Sequence, residues 1–127
     1  MQAASPTGDI HGDIVVVRIA GPDTFQQAVE RVSAVLSEAA NAGIARLLID
    51  GTAVSGFAPP SIAERHEMMR TWAAAARGRV RVALVVQAHY IDEDRFGVVV
   101  GRNFGLKSGV FETVEAAREW LEAFTSG

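Results

Sequence analysis

Three short apolar runs, separated by segments of helical period, constrain this chain more than any other feature. The runs are Ile14 to Ile19, Leu47 to Ile49 and Val80 to Val86, mostly β-branched or leucine residues. Such runs, bounded by turn residues, read as strands. The middle run is apolar throughout, as a strand covered on both faces is. Between successive runs, apolar residues recur at helical spacing. A strand, a helix and another strand imply a parallel pair joined by a right-handed crossover. The expected class is therefore α/β, with a largely parallel sheet. A chain of 127 residues makes one domain over 1–127. Folding at that length buries roughly two-thirds of the extended chain's surface.

Residues 1–9 hold Pro6, Gly8 and few apolar groups, and read as a poorly ordered arm or weak edge strand. A strand from Ile10 to Ile19 follows, able to add to the sheet in either sense, and Gly21-Pro22 ends it. Asp23 is the expected N-cap of the first helix, with Gln26 closing a capping box. Phe25, Ala28, Val29, Val32, Leu36, Ala39 and Ala40 form its inner stripe, and Gly43 its C-terminal cap. Asp50-Gly51 is expected to end the second strand. A second helix should run from about Pro60 to Ala76, burying Ile62, His66, Met69, Ala73 and Ala76. Arg65 and Trp72 then share one flank of that stripe, with Trp72 half-exposed. A third helix is expected from about Asp92 to Phe104, with Phe96, Val99 and Val100 inward. Gly97, Gly101 and Gly105 would groove it for close approach of another backbone. Val110-Phe111 is a short last strand. Thr113 caps a final helix whose Ala117, Trp120, Leu121 and Phe124 face in.

Composition removes several functions. There is no cysteine, which excludes thiol catalysis, disulfides and cysteine-based zinc sites. Twelve basic residues against 15 acidic ones give a net charge of −3. No basic cluster exists beyond Arg77, Arg79 and Arg81, so nucleic acid is not an expected partner. The histidines at 11, 66 and 89 show no paired metal spacing; no metal and no cofactor is expected. No apolar run approaches the length of a spanning helix, and the N-terminal stretch lacks the apolar core of a signal peptide. A cytoplasmic protein is the expectation.

The stretch from Arg46 to Arg65, RLLIDGTAVSGFAPPSIAER, reads as strand, turn and helix start. In α/β proteins such junctions are where ligands and partners dock. Asp50 ends the strand with no second carboxylate nearby in sequence, so a turn bonded to the next backbone N–H groups is favoured over acid–base chemistry. A nucleophile elbow needs Gly-x-Ser-x-Gly; Ser55 has Ala53 and Phe57 at those places and reads as a turn serine. GRNFGLKS lacks the glycine before lysine that a phosphate loop needs, and reads as a helix end capped at Gly105. Phe57 lies between glycine and proline elements. It either folds back as a plug or faces a partner.

In this order of elements the chain resembles bacterial STAS/SEC14-type proteins of the SpoIIAA-like fold. The likeness is carried by LLIDGTAVSGF with SIAERHEMMRTWA, by VRVALVVQAHYIDEDRFGVVVGRNFG and by VFETVEAAREWL, which span most of residues 10–124. The resemblance implies a mixed four- to five-stranded sheet with about four helices. Anti-sigma-factor antagonists of that superfamily carry a phosphorylatable serine at the start of the second helix. Here Ala58-Pro59-Pro60-Ser61 occupies that place, with Ser61 beside the position rather than on it.

The expected function is a non-enzymatic regulatory or protein-binding module. Its docking edge is the turn 50–61 (Asp50, Ser55, Phe57 and Ser61) and the flank of helix two (Glu64, Arg65 and Trp72). The alternative is a carrier of a small apolar ligand or lipid, in a cleft lined by Phe57, Met68, Met69 and Trp72. An enzyme would need Asp50, Ser55, His66 or His89 brought together in space. A homodimer through a sheet edge or helix face is compatible with either binding reading.

Overall fold

The apolar runs become neighbours in one five-stranded sheet. It is seen in a computed structural model that describes residues 8–11, 13–91, 102 and 104–123. The strands are β1 (Gly8–His11), β2 (Ile14–Ala20), β3 (Arg46–Ala53), β4 (Arg81–Val85) and β5 (Lys107–Phe111). They lie side by side in chain order. β1 runs antiparallel to β2, and every later pair is parallel. The expected mixed, largely parallel sheet is present. The expected single strand from Ile10 to Ile19 is divided: Ile10 pairs with Val15 and His11 with Ile14. Gly8 and Asp9, expected in the arm, belong to this edge strand.

Three α-helices are described: α1 (Phe25–Ala42), α2 (Ile62–Ala76) and α3 (Val114–Glu122). The third helix expected over about 92–104 lies almost wholly outside the described residues, with Phe96, Val99, Val100, Gly97 and Gly101; so does Phe124. β2, β3 and β4 step across the sheet in one direction. Right-handed crossovers therefore put α1 and α2 on the same face. Val17, Ile19, Leu47, Ile49 and Val82 pack against them there. Ile14, Val16, Leu48, Ala83 and Val85 meet Ala117 and Leu121 of α3 on the other face. Leu47, Leu48 and Ile49 are all buried, as successive residues of a strand covered on both sides must be. The parallel strands never reverse their order. Among the described strands there is thus no switch point of the kind that opens a ligand crevice in doubly wound folds.

α1 buries Ala28, Val29, Val32, Leu36, Ala39 and Ala40, and ends at Gly43 in the left-handed region (φ 76°). Its capping box sits one residue later than expected. Thr24 Oγ1 accepts from the Gln27 N–H at 3.1 Å, and the Thr24 N–H donates to Gln27 Oε1 at 2.9 Å. Asp23 instead pairs with Arg31 at 2.8 Å. β3 does not stop at Asp50-Gly51. It continues to Ala53, which pairs with Ala20 while Asp50 pairs with Arg18, so β3 carries one extra residue as a bulge.

α2 departs most from the expected pattern. Its buried residues are Met69, Trp72 and Ala76, with Arg65 and Met68 half-buried beside them. Ile62 is 68% exposed and His66 is exposed. The helix is rotated so that its largest side chain faces in. Trp72 is only 7% exposed, and its indole Nε1–H donates to the Val29 carbonyl of α1 at 3.0 Å. Burying an indole with its N–H satisfied outweighs burying one isoleucine.

Candidate apolar ligand site

Beneath α1 and α2, against the sheet, lies a cavity of about 130 Å³. Its buried floor includes Ile19, Val29, Val32, Leu36 and Val82, closed on the α2 side by Met69 and Trp72. Phe25, Phe57, Met68 and Tyr90 line its half-buried rim. The four residues expected to line a cleft (Phe57, Met68, Met69 and Trp72) all border this space.

The rim is an aromatic cluster. The Phe57 ring lies 5.7 Å from Phe25 at 68° and 4.9 Å from Tyr90 at 37°. The Tyr90 hydroxyl donates to the Phe57 carbonyl at 2.8 Å. Phe57 therefore folds back as a plug rather than facing outward. The turn that carries it is tied on both sides. The Asp23 N–H donates to the Ser55 carbonyl at 2.9 Å. Gln87 Nε2 donates to the carbonyls of Thr52 (2.9 Å) and Val54 (3.2 Å). Gly56 permits this approach: at φ 105°, a β-carbon there would stand 2.5 Å from the Asp23 carbonyl oxygen.

The remaining expected site residues have structural partners. Asp50 Oδ1 accepts from the Thr52 N–H (3.1 Å) and hydroxyl (2.7 Å), the favoured turn, which here fastens the β3 bulge. Ser61 is the N-cap of α2, which begins at Ile62 rather than at about Pro60. Its Oγ accepts from the Glu64 N–H at 3.1 Å, and Glu64 Oε1 accepts from the Ser61 N–H at 2.8 Å. Arg65 lies back across the rim, its Nη1 donating to the Tyr90 carbonyl at 3.4 Å. Trp72 cannot supply surface area for docking, because it is buried. Of the expected docking edge, Ser55, Ser61 and Glu64 remain exposed.

Three of the four residues of an imagined catalytic group have partners outside it. His66 meets the Phe104 ring at 5.2 Å, His89 meets Tyr90 at 4.0 Å, and Asp50 holds Thr52. The three arginines after α2 also disperse. Arg77 bonds Asn41, Arg79 is exposed, and Arg81 lies 5.7 Å over the Trp120 ring. Trp120 is half-buried against Phe111 rather than central to the core. Among the described residues no group of three or more His, Asp or Glu is placed to hold a metal ion. Among them, no helix is long and apolar enough to cross a membrane.

Sequence reasoning missed Tyr90, Phe25 and Ser108 as lining residues. Tyr90 meets Phe57 across 33 positions of chain, which no local pattern encodes. Ser108 enters because β5 begins at Lys107 rather than near Val110. The Ser61–Glu64 box, by contrast, was legible as Ser-x-x-Glu ahead of a helical segment.

No family model, curated protein or solved structure matches this chain.

Proposed function

We propose that this chain is a non-enzymatic STAS/SEC14-type module that binds a small apolar molecule under α1 and α2. The cavity carries this reading. Native interiors pack densely and leave few voids larger than a water molecule. A space of about 130 Å³ walled by leucine, valine, methionine and aromatic side chains is a departure from that norm. An apolar cavity of about 150 Å³ stays dry and admits benzene. The occupant is therefore of benzene size. A lipid or drug-sized ligand needs roughly 300 Å³ or more. The family part of the reading is supported by the mixed, largely parallel sheet with helices on both faces.

The chain holds two tryptophans, and Trp72 lines the cavity. In a Trp120→Phe variant, Trp72 alone reports. Titration with toluene is expected to change its emission saturably. An emission unchanged up to the solubility limit of toluene contradicts the reading.

A regulatory module that docks a protein partner is the second reading, favoured by one observation. Ile62, 68% exposed, begins α2 beside the exposed Ser61 and Glu64. Ile62→Glu should then remove partners recovered in a pull-down, and an unchanged partner list would dismiss it.

A further inference from the structure

The walls of the cavity differ in chemistry. Its floor on the sheet and α1 is aliphatic, whereas Phe25, Phe57, Trp72 and Tyr90 border it at the rim and on the α2 side. Met68 and Met69 lie among them. Aromatic residues make up only 7% of the chain, so four of them around one small space is a concentration that the composition does not account for.

These rings are held in place before any ligand arrives. The Trp72 indole N–H is bonded to the Val29 carbonyl at 3.0 Å, and the Tyr90 hydroxyl to the Phe57 carbonyl at 2.8 Å. The Phe57 ring meets Phe25 edge-on, 5.7 Å away, and leans on Tyr90 at 4.9 Å. A wall ordered in advance costs little to organise on binding, and it can separate ligands of similar size by shape and charge distribution. An arene has negative faces and a positive edge, which other aromatic rings complement. Each such contact is worth roughly a two- to tenfold gain in affinity beyond the burial of area. Thioethers beside a ring add to this. A saturated ring of the same carbon number lacks that charge distribution and is thicker across its mean plane. In a space of about 130 Å³ both differences count against it.

We infer that the cavity is a site for a monocyclic arene, taken in preference to a saturated ring of equal carbon number, and that the rim residues Phe25, Phe57 and Tyr90 make the choice. The inference rests on the apolar-cavity reading and adds the chemical class of the ligand.

Methyl-resolved NMR titrations with benzene and with cyclohexane, on the wild-type chain and on Phe57→Leu, test it. Each affinity is corrected for that ligand's own transfer from water to hexane, which removes the difference in hydrophobicity. The wild-type chain is then expected to favour benzene roughly tenfold. Phe57→Leu keeps an apolar side chain at the rim and should cut that preference about threefold or more. Phe25→Leu, on α1, should lower it likewise and replaces Phe57→Leu if that variant does not fold. If the wild-type chain binds the two ligands alike after correction, or if the preference survives both substitutions, the assignment is overturned and the apolar cavity stands. If neither compound binds the wild-type chain, the cavity reading itself falls.

Discussion

Replacing Ser61 by alanine removes the acceptor of the Glu64 N–H at the start of α2. Urea denaturation should show a loss of about 1 kcal/mol, the usual value of such a cap. A loss below a few tenths would mean that the Ser61–Glu64 box does not hold the helix. Gly56 predicts a larger effect. Its φ of 105° is one that residues with a β-carbon rarely adopt, and the Asp23 carbonyl blocks that carbon. Gly56→Ala should cost about 1–3 kcal/mol and loosen the turn that carries Phe57. Single residues were legible where the signal is local. Gly43 is legible as a cap, and Asp50 as a turn former. Phe57 was not decidable, because its partners Phe25 and Tyr90 come from α1 and from beyond β4.

Among the elements, α1 and α2 differ in how much their sequences disclose. α1 alternates valine and leucine with charged residues, so its buried stripe was readable throughout. α2 is mostly alanine, methionine and charged or polar residues, with weak contrast around the helix. There the tertiary preference of Trp72 decides the rotation. Thermal or chemical denaturation can verify that orientation. Met69→Ala should cost about 2–5 kcal/mol as a buried truncation, while Ile62→Ala should stay within about 0.5 kcal/mol. Equal costs at the two positions would return α2 to the orientation with Ile62 inward. The strands follow the same logic. Apolar runs located β2, β3 and β4, but the bulge that extends β3 depends on its register with β2.

At the scale of the molecule, sequential strand order puts α1 and α2 on one face. The cavity lies between that helix pair and the sheet. Alternation of strands and helices in the sequence sufficed for the α/β class and the parallel pairing. Its volume was not legible, because a void is the mismatch between side chains from α1, α2, β4 and β5. Filling that mismatch is a direct manipulation. Ala28 is buried and borders the cavity, so Ala28→Leu should occupy part of it. Affinity for toluene is expected to fall at least tenfold with stability kept or raised, as cavity-filling changes commonly do. Unchanged affinity would place toluene elsewhere. The central claim is that this cavity takes a small apolar molecule, and a methyl-resolved NMR titration with toluene tests it most directly. The methyl signals of Val29, Val32, Leu36 and Met69 should shift together and saturate, while Val16 and Leu48 on the α3 face stay fixed. Signals that do not move up to the solubility limit, or that move equally on both faces, would contradict it.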